Sequence, residues 1–174
     1  MSWRRVVLLA TSMLLSVSAY ATDWRVYSFS DKEEVMLYSA SDLARDGGNV
    51  RVWTEALSGK DIASFLEKKP TETVEKAVGR MKAGYKPPFA EHNNLDEQQT
   101  AGIALVEEIA DEQATPVRSR TLFEFDCAGG RLRVLQFSSF LPKPEQHSTV
   151  PLPWEYIAPD TVGATLKSWV CTRS

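Results

Sequence analysis

Residues Thr121 to Phe140 read TLFEFDCAGGRLRVLQFSSF, two apolar runs on either side of a Gly-Gly pair. Apolar and polar residues alternate in both runs, which is typical of strands with one buried face. A glycine pair between such runs is typical of a hairpin turn, because glycine adopts the positive φ angles that tight turns require. The stretch therefore predicts an antiparallel hairpin with one cysteine, Cys127, just before its turn.

The alternation also predicts the register of this hairpin. If Gly129-Gly130 is the whole loop, Cys127 lies opposite Leu132 and both point to the apolar side. A three-residue loop would instead place Phe125 opposite Arg133, an apolar residue against a charged one. We therefore predict a two-residue loop with a type I′ or II′ turn.

The first residues are predicted to be a signal peptide. Two arginines precede an apolar segment, residues 6–17, and small residues lead to an expected cleavage after Ala21. As a helix, this segment spans about 18 Å, well short of the roughly 30 Å of a bilayer core. Residues 1–21 are expected to be removed, and residues 22–174 to form a single exported domain without a transmembrane anchor.

Composition restricts the classes of function. Of the 174 residues, 43% are hydrophobic and 25% are charged, as in ordinary globular domains. Without residues 1–21 the chain has 18 basic and 23 acidic residues, a net charge of −5. A mildly acidic chain without a basic run is a poor nucleic-acid binder, because phosphate neutralisation supplies most of that affinity. No nucleic-acid partner is therefore expected.

Export also predicts the state of the two cysteines. Cys127 and Cys171 would reach an oxidising compartment with no other thiol in the mature chain, so we expect a disulfide between them. In the chain-entropy model, closing a loop of about 45 residues stabilises a fold by roughly 4 kcal/mol. The alternative is a reactive or metal-binding thiol, which requires partner residues that the sequence does not offer. We expect no metal and no cofactor.

Periodicity divides the mature chain into three parts. The first part contains three predicted strands, residues 24–29, 35–38 and 49–54. Residues 58–116 have helical periodicity and predict a helical insertion between two β regions. After the returning β pattern, a last helix is expected to begin at Asp160 or Thr161 and to carry Cys171 at its end.

Three helices are predicted within the insertion. Ser58 can cap the first, Pro70 ends it, and Thr71 or Thr73 opens the second. The second helix has one apolar stripe, to be buried on the domain or on a partner: Val74, Val78, Met81 and Tyr85. The third helix is expected to begin with a capping box of Asn94 and Glu97, although its residues 103–109 fit a helix or a strand.

Several of these segments resemble one protein family. FEFDCAGGRLRVL (Phe123 to Leu135), WEYIAPDTVGATL (Trp154 to Leu166) and Val170-Cys171 resemble the surface-adhesin protein E domain of bacterial exported proteins. The resemblance implies an α+β fold, with a C-terminal helix packed on a small antiparallel β-sheet. It also implies a protein-binding role outside the inner membrane, without catalysis.

Two features depart from the family pattern. Ser39 follows Tyr38 where the family often has an aspartate, and the helical insertion is much longer than the family's connection. No binding residue of the family maps onto a motif of this chain. The binding residues are therefore unknown, and the adhesin role transfers less directly than the fold.

The two histidines are the first candidates for catalysis or metal binding. His92 lies beside two asparagines and His147 lies in a Pro-rich loop, and neither has a neighbouring nucleophile or second ligand in the sequence. No hydrolase, zinc-site, redox or P-loop motif occurs. We interpret both histidines as solvated loop residues and predict no catalytic residue.

Glu124 and Asp126 are the other candidates, because they share one face of a predicted strand about 7 Å apart. A carboxylate pair at such a spacing can perform acid–base chemistry. Arg131 and Arg133 return on the next strand, however, so we interpret the acids as cross-strand charge pairs on a solvated face.

The mature chain has four tryptophans that could form a ligand platform: Trp24, Trp53, Trp154 and Trp169. A domain of this size needs large apolar residues in its core, so we interpret three of them as core residues. Trp154 follows a proline in a loop and is expected to be exposed.

The sequence thus predicts a non-enzymatic exported envelope protein in the periplasm or at the cell surface. It would be an adhesin-like protein-binding module or a structural one, with envelope or host extracellular proteins as partners. The alternative is a periplasmic enzyme or an enzyme inhibitor with an unrecognised site in the helical insertion.

Overall fold

The computed structural model describes residues 23–68, 70–112, 119–139, 146–149 and 151–172, so the predicted signal peptide lies outside the described residues. The described strands are β1 (Trp24–Phe29), β2 (Glu34–Ser39), β3 (Ala44–Asp46), β4 (Asn49–Ser58), β5 (Ser119–Asp126), β6 (Arg131–Ser139), β7 (Gln146–Ser148) and β8 (Glu155–Tyr156). The described helices are α1 (Gly59–Lys68), α2 (Pro70–Lys82), α3 (Pro88–His92), α4 (Glu97–Asp111) and α5 (Val162–Cys171). The predicted α+β class is confirmed. Within the described ranges, no helix is long and apolar enough to cross a membrane.

All eight strands belong to one antiparallel sheet with the order β1-β2-β4-β5-β6-β7. Strand β3 pairs with the start of β4, and β8 pairs with the start of β6. Helices α1 to α4 lie in the chain between β4 and β5, which are neighbours in the sheet. The predicted helical insertion therefore interrupts an antiparallel pair without separating its strands.

The two faces of the sheet carry different helices, because alternate residues of a strand point to opposite faces. On one side, the α5 face, α5 packs through Leu166 and Val170 against residues such as Val50, Val52 and Phe125. On the other side, the insertion face, α4 is buried against β1, β2 and the end of β4. The core there comprises Trp24, Val26, Val35, Leu37, Leu57, Ile103 and Ala110.

The C-terminal helix is joined to the β5–β6 turn by the two cysteines. The Sγ atoms of Cys127 and Cys171 lie 2.04 Å apart, which is bonding distance and agrees with the expected disulfide. Thr161, rather than Asp160, caps α5: its Oγ1 accepts the backbone N–H of Ala164 at 3.2 Å. The bond and the cap hold opposite ends of the same helix.

The predicted register of the β5–β6 hairpin is wrong by two residues. The loop has four residues, 127–130, and Asp126 pairs with Arg131. The reason is a side-chain hydrogen bond: the Asp126 carboxylate accepts the N–H of Gly129 at 2.7 Å, which stabilises the wider turn. Only the last loop residue has a positive φ angle, 65°. Because a shift of two residues keeps every side chain on its face, Cys127 still packs against the apolar cluster of the α5 face.

The start of α4 also differs from the prediction. Its capping box is formed by Asp96 and Gln99, not by Asn94 and Glu97. Asn94 has a φ of 51°, so it belongs to the turn before the helix and cannot occupy an extended cap position. Residues 103–109, which fitted either a helix or a strand, are helical.

Helix α2 begins at Pro70, before the predicted Thr71 or Thr73, and buries a different side from the predicted one. Val74 and Val78 are 38% and 41% exposed, whereas Ala77 and Thr73 are buried. The reason lies in α4, whose C-terminal part presents carboxylates to α2. Thr73 Oγ1 donates to the Glu112 carboxylate at 3.1 Å, and such polar contacts select the neighbouring face of α2.

Candidate functional site

Two carboxylates of helix α4, those of Glu107 and Asp111, bind the outer edge of the sheet. Strand β1 pairs only with β2 in the described sheet, so its outward N–H groups need other acceptors. Asp111 Oδ1 accepts the N–H of Trp24 at 2.8 Å, and Glu107 Oε1 accepts the N–H of Val26 at 3.1 Å. The spacing fits, because residues i and i+4 of a helix lie about 6 Å apart and residues i and i+2 of a strand about 6.8 Å apart.

Glu107 is the most deeply buried member of this network, with an exposed fraction of 0%. Its Oε2 accepts the hydroxyl of Tyr85 at 2.6 Å, and the guanidinium of Arg25 lies 3.6 Å away. Burial raises the pKa of Glu107, although Tyr85, Arg25 and the N–H of Val26 oppose the rise. Burial and the neighbouring Glu107 also raise the pKa of Tyr85, so the phenol keeps its proton and remains a donor.

A polar cavity of about 1170 Å³ lies beside this network, lined by β1, α2 and α4. Arg80 reaches into it from α2, donating to Glu108 at 3.0 Å and to Asp111 at 3.4 Å. Burial raises the pKa of Asp111 to about 6, against the opposing effects of the N–H of Trp24 and the charge of Arg80. A carboxyl group with this pKa can take up and release a proton near neutral pH.

The carboxylates of this cavity nevertheless have structural partners. Both oxygens of Asp111 are engaged, one by the backbone of β1 and the other by Arg80. Lys76 pairs with Glu72 on its own helix and with Glu112 across the same cavity. The arrangement holds the helical insertion against the edge of the sheet.

Replacing Asp111 with asparagine is expected to change the pH dependence of stability. The pKa of Asp111 is about 6 in the folded chain, against an ordinary value of 3.8. The folded chain holds this proton more tightly, so the free energy of unfolding falls as the pH rises through about 4 to 6. Asparagine still accepts the N–H of Trp24 but does not titrate. The free energy of unfolding of the variant, minus that of the wild type, should therefore rise by roughly 1–2 kcal/mol from about pH 4.5 to about pH 7.5.

Urea denaturation of both proteins at the two pH values measures this gain. Asp31→Asn, in the exposed β1–β2 turn, is the matched control and should follow the wild type. The difference between variant and wild type isolates Asp111 from Asp23, Arg25 and Arg80, which face it and remain in both proteins. Parallel stability curves for Asp111→Asn and the wild type would show that Asp111 has no such pKa.

A second charged region lies on the insertion face of β4, β5 and β6, beside the core that α4 covers, and Trp53 at its border also packs against that core. We call it the arginine face; its residues are Arg51 on β4, Arg120 on β5, Arg131 and Arg133 on β6, and Trp53 and Trp154. Their strand neighbours, such as Val52, Phe125 and Leu132, point to the α5 face. Three carboxylates, Glu55, Glu124 and Asp126, lie among the arginines.

Glu124 is the centre of a charged row that crosses three strands. Arg51 and Arg133 are its partners in register, and their Nε atoms donate to its two oxygens at 2.9 and 2.7 Å. Burial acts to raise the pKa of Glu124, but the hydrogen bonds from Arg133 and Arg51 outweigh it, and the pKa is lowered. The expected cross-strand pairing of these acids with Arg131 and Arg133 is observed, but in a different register: Glu124, and not Asp126 as predicted, lies opposite Arg133. The predicted solvated position of Glu124 is wrong, since only 1% of it is exposed.

The other two carboxylates are paired in the same manner. Arg120 donates from Nε to Glu55 Oε1 at 2.8 Å, although burial still raises the pKa of Glu55. Arg131 donates to Asp126 at 2.6 Å, and this bond, with the N–H of Gly129, lowers the pKa of Asp126. The arginines thus lie above the carboxylates, with side-chain exposures between 30% and 45%, against 2% for Glu55.

Aromatic rings border the arginine face. The guanidinium carbons of Arg133 and Arg131 lie 4.6 and 5.6 Å from the centre of the Trp154 ring. Trp154 is half-buried rather than exposed as predicted, and Trp53 is also half-buried. Of the four predicted positions, only Trp24 is fully in the core, with 2% exposed.

The remaining candidates from the sequence lie elsewhere. His92 ends α3, and its exposed ring packs edge-on against Trp169 at 5.4 Å between centroids. His147 lies in β7, and its side chain is outside the described part of the chain. Among the described residues, no cluster of histidine, cysteine, aspartate or glutamate has the arrangement of a metal site.

Sequence reasoning missed the network around Glu107. The available signal was a pair of acids four residues apart, Glu107 and Asp111, on the side of a helix that also carries Ile103 and Ala110. Carboxylates on an apolar helix face are expected to have buried partners.

Comparisons with known proteins provide no relative for this chain. No protein-family model, no curated protein and no solved structure matches it. The resemblance to the surface-adhesin protein E domain stays an expectation from the sequence, and the function is inferred from the two charged sites.

Proposed function

We propose that this chain is a non-enzymatic, exported protein of the bacterial envelope that binds other proteins through the arginine face. The observation that carries the proposal is the position of the four guanidinium groups. Three of them pair with the buried Glu55 and Glu124 and the fourth with the half-buried Asp126, and all four side chains are 30% to 45% exposed. A charged surface held in this way is suited to recognition.

The fixed positions of these arginines support a binding role. Ordering a long side chain on binding costs free energy. This cost is smaller here, because the buried Glu55 and Glu124 already order the arginines before a partner binds. Arginine and tryptophan are also the residue types enriched at the energetic centres of protein interfaces. The arginine face combines both, with Trp154 beside Arg131 and Arg133.

Two further features support the exported location. The cysteine pair at bonding distance suits an oxidising compartment, where structural disulfides form and persist. The predicted signal peptide supplies the route to that compartment. Envelope or host extracellular proteins are the partners that such a location offers.

The polar cavity favours a second candidate, an enzyme or an enzyme inhibitor with its site in the helical insertion. Asp111, with its pKa raised to about 6, lies near Tyr85 and Arg80, and perturbed groups of this kind cluster at active sites. We prefer the binding role, because both oxygens of Asp111 are committed to holding α4 in place. Turnover of an envelope substrate that is lost on Tyr85→Phe would support this second candidate.

The double variant Arg51→Gln with Arg131→Gln tests the arginine face. Glu124 keeps Arg133 and Asp126 keeps the N–H of Gly129, so the fold is expected to survive. The wild-type chain, residues 22–174, is immobilised and exposed to envelope fractions and to host matrix proteins. Partners retained by the wild type should be lost from the double-arginine variant.

The matched control is Lys60→Gln with Lys86→Gln, two exposed lysines that are not among the residues of the arginine face. It makes the same change in net charge and should retain the partners. Thermal melts of all three proteins verify folding. Equal capture by the wild type and both variants would refute the arginine face as the binding surface.

A further inference from the structure

We infer that the arginine face recognises carboxylates, that is, a segment of a partner protein rich in glutamate or aspartate. The inference rests on the proposed function and specifies the chemistry of its partner. A sulfated glycan and an anionic membrane surface are the competing polyanions, and the charge of the surface argues against both.

The charge of the arginine face is low for a polyanion site. Four arginines lie over three carboxylates, so the net charge of the whole region is only about +1, and the full chain has a net charge of −3. Polyanions gain affinity by neutralisation of many charges, with release of their counterions. A surface with so little net charge gains little from that mechanism, whereas pairing with an individual carboxylate depends mainly on the N–H donors that a guanidinium presents at short range.

The guanidinium groups have donors left for such pairing. A guanidinium has five N–H donors. Arg120, Arg131 and Arg133 each use Nε and one terminal nitrogen on their carboxylate, and Arg51 uses Nε. The remaining N–H groups lie on side chains that are 30% to 45% exposed. The planar fork of arginine matches a carboxylate with two parallel hydrogen bonds.

The spacing of the arginines fits a regular acidic segment. Arg51 and Arg133 flank β5 on its two sides, so their backbones are about 10 Å apart across three strands. In an α-helix, residues i and i+7 lie on one side about 10.5 Å apart. Both Nε atoms donate to Glu124, so the guanidinium groups lie closer together than the backbones. The flexible side chains of two glutamates at this interval would converge on the remaining N–H groups of both arginines, and an apolar residue beside them would pack on Trp154.

The test uses a fluorescent helical peptide of about 18 residues with glutamates at i and i+7, and the same peptide with glutamines. The wild-type chain is expected to bind the glutamate peptide about tenfold more tightly than the glutamine peptide. Arg51→Gln with Arg131→Gln should weaken binding of the glutamate peptide about tenfold. Lys60→Gln with Lys86→Gln should weaken it less than about twofold. Higher salt should weaken the interaction.

Heparin and phosphatidylglycerol vesicles serve as the polyanion probes. Equal affinity for the two peptides would overturn the carboxylate inference. The inference would also be overturned if the wild type bound heparin or vesicles more tightly than the glutamate peptide and the double-arginine variant lost that binding. In that case the arginine face would still be the binding surface. If the double-arginine variant retains every probe and every captured partner, the proposed function itself fails.

Discussion

Replacing both cysteines, Cys127→Ser with Cys171→Ser, is expected to lower the free energy of unfolding by about 4 kcal/mol. The two residues are 44 positions apart in sequence, and a bond between them restricts the unfolded chain. In the folded chain it fixes the end of α5 against the apolar cluster of the α5 face, where Leu166 and Val170 are buried. Urea denaturation of the oxidised wild type and the variant measures the loss.

The reduced wild type is the matched control and should be as unstable as the double-serine variant. Thiol labelling of the wild type, denatured without reductant, should find no free thiol. Two labelled thiols, or equal stability of the oxidised and reduced proteins, would contradict a stabilising disulfide between Cys127 and Cys171.

Glu107→Ala is expected to lower the free energy of unfolding by about 3–5 kcal/mol. The substitution leaves the N–H of Val26 and the hydroxyl of Tyr85 without their acceptor, and Arg25 without a buried counter-charge. Urea denaturation gives the total loss, and amide hydrogen exchange at Val26 reports the local opening of the β1 edge.

Two variants of the same helix make this result interpretable. Glu97→Ala removes an exposed glutamate from the first turn of α4 and should cost less than about 1 kcal/mol. Glu107→Gln keeps the shape and one acceptor oxygen, so its cost should lie between those of the two alanine variants. Equal losses for Glu107→Ala and Glu97→Ala would show that the buried carboxylate does not hold α4 on β1.

Local patterns predicted the parts of the fold that depend on local chemistry. Alternation and apolar runs identified β1, β2, β4, β5 and β6 but not the short strands β3, β7 and β8. Ser58 was recognised as the cap of α1, where its Oγ accepts the N–H of Asp61. The predicted hairpin register is wrong because the turn is set by the hydrogen bond from the N–H of Gly129 to the side chain of Asp126, and not by the glycine pair alone. The apolar–polar pattern gives no indication of a single side-chain hydrogen bond of this kind.

The contacts at the two charged sites that the sequence did not predict join residues far apart in the chain. Glu107 is 81 positions from Val26, whose N–H it accepts, and no periodicity connects a helix to a strand edge so far away. Likewise, Arg51 and Glu124 are 73 positions apart, on strands separated in the chain by the whole insertion. Charge pairing between β5 and β6 was predictable because a short turn joins the two strands, although the predicted register placed Asp126, not Glu124, opposite Arg133.

The two charged regions are therefore assigned different roles. In and beside the cavity, the carboxylates of Asp111 and Glu107 accept backbone N–H groups of β1, so their charges hold the helical insertion on the sheet. On the arginine face, carboxylates such as Glu124 lie beneath the cations and fix them towards solvent. This contrast leads us to place binding on the sheet rather than in the insertion.

A nuclear magnetic resonance titration of the mature chain with the glutamate peptide tests this placement most directly. The indole N–H signals of Trp53 and Trp154, and the backbone amides of β4 to β6, should shift. The amides of α2 and α4 that line the cavity should stay in place. Shifts confined to α2 and α4, with both indole signals unchanged, would contradict the account and move the binding site into the helical insertion.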